Sequence, residues 1–190
     1  MVEKKKLRKA LLKKRQAFCE VQWRAKSSAL CEQIRGYLQK SPDISRTILS
    51  YFHFRQEPNL DPLFHLSDYD WAVPRCVENE LSWHFWQWGD PLVEGKFGIR
   101  EPLADAPLCS PEQVDLILVP AVACDTQGYR LGYGGGFYDR LFEQPQWRAI
   151  PKVGIVFEEM IVSEVPIDPW DVCLDGVCTD YGWHITPVRF

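Results

Sequence analysis

Long apolar runs are missing from this chain. No stretch approaches the roughly 20 apolar residues that cross a bilayer, and the basic N-terminus leads into Leu7-Arg-Lys-Ala-Leu-Leu-Lys-Lys-Arg15, too charged for the core of a signal peptide. Metal-ligand spacing is missing too. There is no Cys-x-x-Cys pair, and His53, His65, His84 and His184 form no His-Glu-x-x-His motif. The seven cysteines (Cys19, Cys31, Cys76, Cys109, Cys124, Cys173, Cys178) are odd in number and scattered. They argue against a disulfide scaffold or a structural zinc site and fit reduced thiols in the cytoplasm. Net positive charge is absent as well: a formal charge of −4 and a pI of about 5.6 argue against general affinity for nucleic acid. With no membrane segment and no nucleic-acid signature, a monomer acting on small molecules is expected.

What is present fits one compact domain over residues 1–190. Apolar residues make up 46% of the chain, enough for a sizeable core, and no repeat, low-complexity tract or linker divides it. Eight tryptophans are a high count for this length; most should fill the core, and several should line a pocket for a flat ligand.

The patterning predicts alternating helices and strands. Lys4 to about Glu20 reads as a basic amphipathic helix with Leu7, Leu11 and Phe18 on one side, and Trp23, Leu30, Ile34 and Tyr37/Leu38 extend a second helix to about Lys40, closed by Pro42. Strands are expected at 47–54, 71–77, 81–86, 114–123, 151–157 and 176–179, from their branched and aromatic content. Asp61 and Pro62 read as the cap and first position of a short helix. Gly89 to Gln113, rich in proline and glycine, reads as a long functional loop. The alternation points to α/β layers around a largely parallel sheet.

The most informative stretch is Gly128-Tyr-Arg-Leu-Gly-Tyr-Gly-Gly-Gly-Phe-Tyr-Asp-Arg140, between the apolar run Val114–Cys124 and a helix starting near Phe137. Glycine lets backbone N–H groups approach phosphate oxygens, and Arg130 and Arg140 add fixed-charge forks. The stretch lacks the Gly-Lys-Ser/Thr of the P-loop and the third glycine of the dinucleotide fingerprint. A ligand-free tight turn is the alternative, but four glycines in the five positions 132–136, two arginines and an aspartate exceed what a turn needs. Cys124, close by, reads as a small buried apolar residue rather than a nucleophile.

The run Arg130-Leu-Gly-Tyr-Gly-Gly-Gly-Phe-Tyr-Asp-Arg140 resembles the signature of the 5-formyltetrahydrofolate cyclo-ligase family, also called 5,10-methenyltetrahydrofolate synthetases. Lys4-x-x-Leu7-Arg8, the acid after the strand in Tyr51–Leu60, Gly95–Pro102, Asp115–Pro120 and Asp171–Asp175 follow the same pattern in order, so the resemblance spans nearly the whole chain. It implies a three-layer α/β fold of the sugar-isomerase and CoA-transferase type. It also implies ATP-dependent closure of 5-formyltetrahydrofolate to 5,10-methenyltetrahydrofolate, through phosphorylation of the formyl oxygen, with Mg2+ accompanying ATP.

Residue by residue, the resemblance assigns Arg130, Leu131, Gly132, Tyr133, Gly134, Gly135, Gly136, Phe137 and Tyr138 to ATP, with Lys4 and Arg8, four apart on one helix face. Arg130 and Lys4 would also stabilise charge during transfer. Some relatives have lysine at the position of Gly135, and its absence throws more electrostatic work onto Arg130, Lys4 and metal. Asp139 and Asp175 would be the magnesium ligands. Phe52, Glu57, Phe97, Tyr133 and Phe137 would contact folate, Glu57 accepting the paired donors of the pterin edge and Phe97, or Trp86, stacking on it. Many relatives have tyrosine in place of Phe137, so a role needing that hydroxyl would be missing. Taken alone, Lys4 and Arg8 also read as a solvated basic face, Asp139 as a helix cap, Asp175 as a turn aspartate, Phe52 as a core aromatic and Glu57 as a loop acid.

Two other classes compete. A sugar-phosphate isomerase or CoA-transferase of the same fold would need no ATP, and the Arg-Leu-Gly loop with the Lys4/Arg8 pair argues against it. A non-catalytic, RNA-associated relative should lose the loop charges or carry an added module, and neither is seen in these 190 residues.

Overall fold

A computed structural model describes residues 2–41 and 47–185, so Pro42, expected to close the second helix, lies outside the described residues. The chain opens with α1 (Val2–Arg15) and α2 (Glu20–Gln39), then β1 (Thr47–Leu49), a 3-10 turn at Asp61–His65, β2 (Asp70–Val77) and β3 (Glu80–Phe85). A small hairpin of β4 (Leu92–Glu94) and β5 (Arg100–Pro102) follows, then β6 (Leu116–Pro120), β7 (Ala123–Asp125), β8 (Arg130–Leu131), α3 (Phe137–Glu143) and α4 (Pro145–Arg148). The last elements are β9 (Lys152–Ile155), β10 (Ile161–Val162), β11 (Gly176–Cys178) and β12 (Trp183–Ile185).

Seven strands form the main sheet in the order β12-β11-β9-β6-β1-β2-β3. The five inner strands run parallel, and the edge strands β12 and β3 are antiparallel to their neighbours. A parallel sheet is covered on both faces, which is why β6 is a continuous apolar run, Leu-Ile-Leu-Val-Pro. Alternate side chains go to opposite layers. Leu116 and Leu118 join Leu30, Ile34 and Leu38 of α2, while Ile117 and Val119 join Leu11 of α1, Phe142 of α3 and Trp147 of α4. Burying each such α2 side chain contributes roughly 1.5–3 kcal/mol. The result is a mixed α/β fold around a large, mostly parallel sheet, as the patterning predicts.

The boundaries differ from the sequence reading in instructive ways. Helix α1 stops at Arg15 and α2 begins at Glu20, because Cys19 is extended (φ −70°, ψ 161°) and its N–H donates to Gln22 Oε1 at 3.1 Å. The strand expected over 47–54 pairs only to Leu49. The run expected over 114–123 divides after Pro120, which has no N–H to continue a ladder, and β7 joins a separate three-stranded sheet with β8 and β10. Leu60, not Asp61, takes the cap position of the short turn, leaving the Asp61 carboxylate to pair with Arg100. The long loop at 89–113 contains the β4–β5 hairpin. All seven cysteines are free, and no described helix is long and apolar enough to cross a membrane.

One glycine in the parallel sheet is required by close approach rather than by conformation. A Cβ on Gly154 of β9 would lie 2.7 Å from Leu174 Cδ1 and 2.8 Å from Cys124 Sγ, both on buried side chains. Gly154→Ala should therefore destabilise the fold by about 1–3 kcal/mol, read as a lower midpoint in urea unfolding with an unchanged slope. An unaltered midpoint would show that the two neighbours give way without cost.

Candidate active site

The sheet order reverses between β1 and β6: the chain runs outward through β2 and β3, then returns to β6 and runs out the other way through β9 and β11. Where such neighbours diverge, a crevice opens beyond the carboxyl ends of the strands. A cavity of about 540 Å3 occupies that place, lined by Phe52, Phe54 and Glu57 after β1 and by Pro120 at the end of β6. This volume suits a small-molecule site.

The wall after β1 is a tight turn. Glu57 N–H donates to Phe54 O at 3.0 Å, and both central residues, Arg55 (φ 48°) and Gln56 (φ 56°), are left-handed, which costs about 1–2 kcal/mol apiece for residues with a Cβ. Two side chains hold it. Glu57 Oε2 accepts from Phe54 N–H at 2.8 Å, and Arg15, 1% exposed, donates through Nε to Arg55 O at 3.1 Å and through Nη1 to Ala121 O at 3.1 Å. Arg15 Nη2 also donates to the hydroxyl of Tyr133, in the glycine loop. Burial pushes the Glu57 carboxyl up to about 7, against Arg15, Tyr133 and the Phe54 N–H, which all favour the anion.

The opposite wall is the glycine loop. Gly134 (φ 94°) and Gly136 (φ 69°) take left-handed backbone that a side chain would strain, and Gly136 leads directly into α3. Three cations share the cavity with it. Arg8 Nε donates to Gly132 O at 2.6 Å, Arg130 donates to Asp139 and to Val172 O at 3.2 Å, and Lys4 Nζ bonds Asp168 and Asp171 at 2.6 Å each. Burial works against the Lys4 charge, but the two carboxylates outweigh it and hold its pKa above the usual range. Phe97, on the turn of the β4–β5 hairpin, meets Phe137 edge-on with ring centroids 6.2 Å apart, so the hairpin tip touches the start of α3.

The expected residues largely converge. Lys4, Arg8, Phe52, Glu57, Phe97, Asp139 and the whole run Arg130–Tyr138 line this one cavity. Asp175 does not line it: its Oδ2 accepts from Lys152 N and Nζ at 2.9 and 2.8 Å, and Asp171 is the carboxylate of that segment which faces the cavity. Trp86, 4% exposed, packs on Phe52 and Phe64 in the core. Cys124 is fully buried, and burial pushes its thiol up to about 12, consistent with an inert packing role. Among the described residues no group of three or more His, Cys, Asp or Glu could by itself hold a metal ion. Sequence reasoning missed Arg15, Arg55, Arg100, Glu101 and Asp171. Arg15 had a signal, since it falls on the apolar stripe of Leu7, Leu11 and Phe18, where a solvated cation does not belong.

A family model described as the 5-formyltetrahydrofolate cyclo-ligase family matches residues 1–180. The 5-formyltetrahydrofolate cyclo-ligase of Mycolicibacterium smegmatis is 32% identical over 93% of this chain and 93% of its own length. The solution structure of Aquifex aeolicus 5,10-methenyltetrahydrofolate synthetase superposes with a TM-score of 0.81 at 33% identity, covering 95% of this chain and 91% of that one. The Mycoplasma pneumoniae 5,10-methenyltetrahydrofolate synthetase does so at 0.76 and 26% identity, covering 93% and 98%.

The buried Glu57 carries a pH signature. Its native pKa of about 7 lies above the usual 4.5, so between those values the folded protein binds more protons than the unfolded chain. This contribution is full below about 4.5 and is lost as pH rises through about 7, amounting to up to about 3 kcal/mol. Glu57→Gln should flatten the fall in stability over that window, measured as urea midpoints at a series of pH values. An identical pH profile in the variant would place the titration elsewhere.

Proposed function

Since the chain belongs to the 5-formyltetrahydrofolate cyclo-ligase family, enzymes that close 5-formyltetrahydrofolate to 5,10-methenyltetrahydrofolate with ATP, we propose that this cavity carries the reaction through phosphorylation of the formyl oxygen. The observation that carries the reading is the meeting of two unlike walls on one cavity. One is a cation-rich glycine loop, and the other is aromatic, with a buried carboxylate.

The chemistry explains why both are needed. A formyl oxygen is a poor leaving group, and ring closure must expel it. Transfer of the γ-phosphoryl group forms a bond from phosphorus to that oxygen and breaks the bond to ADP. The neighbouring amine then attacks the formyl carbon, the carbon–oxygen bond breaks, phosphate leaves with the oxygen, and the amine proton is released. No protein nucleophile enters this scheme, so the protein's tasks are to align two ligands, offset triphosphate charge and keep water out.

In this scheme the N–H groups of Gly132, Gly134, Gly135 and Gly136 receive phosphate oxygens, with Lys4, Arg8 and Arg130 as the offsetting charges. Glu57, as the anion, accepts the paired donors of the pterin edge, while Phe52, Phe97 and Phe137 contact its faces. Phe97 and Phe137 touch over the cavity and would exclude water once ligands are in place. Magnesium on ATP needs only one or two carboxylates beside phosphate and water, so Asp139 together with a triphosphate fits it. Asp171 is the second carboxylate on the cavity, and Asp175, held by Lys152, is the weaker candidate of the two. Magnesium would supply charge neutralisation of the transferring group. The seven free thiols support a reducing compartment such as the cytoplasm.

The direct test mixes the protein with 5-formyltetrahydrofolate, ATP and magnesium and follows the methenyl chromophore; no chromophore would overturn the reading. Asp139→Asn should keep the fold by circular dichroism and lower turnover on the order of a hundredfold, partly recovered at higher magnesium. The same change frees Arg130, so tighter ATP binding with full turnover and an unchanged magnesium requirement would make Asp139 only a tether for that arginine.

A further inference from the structure

Of the two arginines that bracket the glycine loop, Arg130 lines the cavity and Arg140 does not. The sequence alone suggests phosphate for both, yet the half-buried Arg140 guanidinium faces backbone instead. Its Nη2 donates to Gly135 O at 2.9 Å, and its Nε donates to Asn79 O at 2.7 Å, in the turn between β2 and β3. We propose that Arg140 is a positioning residue for phosphoryl transfer. From outside the cavity it fixes the Gly135–Gly136 peptide so that the Gly136 N–H is held ready for a phosphate oxygen. The proposal rests on the cyclo-ligase reading and adds to it a residue that does not touch ATP.

Three observations carry it. The first is the geometry of the peptide. A trans peptide points its C=O and its N–H in opposite directions, and this one is trans. With Gly135 O drawn outward to Arg140, the Gly136 N–H points back toward the inner side of the loop. Both glycines line the cavity, and among the described residues the Gly136 N–H has no hydrogen-bond partner of its own. The second is the freedom that has to be removed. Two successive glycines flip the peptide between them at little steric cost, so a loop built for close approach to phosphate lacks a fixed shape. Arg8 restrains the carbonyl at one end, Gly132 O at 2.6 Å, and Arg140 restrains the other, Gly135 O. The third is how closely the arginine is seated. Gly136 is left-handed (φ 69°), and a Cβ there would stand 2.7 Å from Arg140 Nη1, so the guanidinium occupies the space that a side chain would need. The same guanidinium stands 5.2 Å from the centroid of Phe137, so a ring, a turn and the loop together set its plane.

Donors aimed in advance need no reorganisation as charge develops on the transferring group. Without Arg140 the peptide would sample orientations that present its C=O, rather than its N–H, to phosphate. The effect belongs to the phosphate wall and should leave folate affinity alone.

The test uses the whole protein and three probes: ATP, inorganic tripolyphosphate as its competitor, and 5-formyltetrahydrofolate. Dissociation constants come from tryptophan fluorescence, and methenyl formation gives a KM for each substrate. Arg140→Ala should weaken ATP and tripolyphosphate by the same factor, about tenfold or more, and raise the KM for ATP while that for 5-formyltetrahydrofolate stays near wild type. Arg140→Lys keeps the charge but is a point donor that does not span two carbonyls as a fork does, so most of the loss should remain. Lys96→Ala removes the other cation over Phe137, 5.7 Å from its centroid, and leaves Gly135 O held, so ATP binding should stay near wild type. Unfolding midpoints accompany each variant, and Arg140→Lys carries the decision if Arg140→Ala proves unstable. Unchanged ATP binding in Arg140→Ala would overturn the positioning role. So would full affinity in Arg140→Lys, which makes charge alone the cause, or an equal loss in Lys96→Ala, which assigns the effect to Phe137. Equal losses for ATP and folate would mean a loosened fold and overturn it too. If wild type bound neither ATP nor tripolyphosphate, the cyclo-ligase reading itself would fall and take the positioning role with it.

Discussion

The buried guanidinium of Arg15 is the interaction on which the site depends. It ends α1, the helix that carries Lys4 and Arg8, and it reaches the turn after β1, the carbonyl of Ala121 just beyond β6, and the Tyr133 hydroxyl of the glycine loop. Four segments far apart in sequence thus share one cation. Its neighbours are mostly neutral acceptors, and burial favours the protonated form of the nearby Glu57, so hydrogen bonds rather than a full counter-charge keep it inside. A buried cation in that state fixes geometry more than it adds stability. Without it, the carbonyls of Arg55 and Ala121 would lose a donor and the strained turn its support.

This arrangement couples the two walls of the cavity. Glu57 and Tyr133 are both neighbours of Arg15, so the protonation of the carboxyl on one side is felt at a residue of the loop on the other. The parallel sheet sets the distance between the walls, since the turn follows β1 and the loop follows the small sheet that continues from β6. The β4–β5 hairpin adds Phe97, Ile99, Arg100 and Glu101 to the lining, with Phe97 against Phe137. Sheet order decides where the crevice is, and side chains from loops decide what it can hold.

Much of this was legible in the sequence. The glycine loop announced itself, because its composition has few other uses, and the apolar runs of β6 and β9 follow from burial on both faces. Strand ends were less legible. The aromatic residues of 50–54 suit a strand as well as Thr47–Leu49 do, yet they leave the sheet at the point where its order reverses between β1 and β6, a consequence of topology that local composition does not record. Asp175 shows the same limit on a smaller scale. Asp171 and Asp175 lie four residues apart in one irregular segment, and only the path of the chain decides that one faces the cavity while the other meets Lys152. Arg15 is hard to single out for another reason: it is one of many basic residues in the first helix, and only its place on the apolar stripe of Leu7, Leu11 and Phe18 sets it apart.

Charge balance explains how the cavity stays folded with so many cations around it. Like charges facing one another across a partly dry space repel strongly. Lys4 is therefore held by Asp168 and Asp171, Arg130 by Asp139, and Arg100 by Asp61. The lining as a whole carries five cations against the four acids Glu57, Glu101, Asp139 and Asp171, so it is close to neutral, in keeping with a chain whose net charge is −4. An anionic ligand entering such a site exchanges partners rather than meeting bare charge. The Lys4–Asp168, Arg100–Asp61 and Arg130–Asp139 pairs each have one partly solvated member, at 33%, 45% and 36% exposed, so exchanging them is less costly than separating fully buried ions. In the proposed reading, such pairs would hold the cations in place until a phosphate took over from the carboxylates.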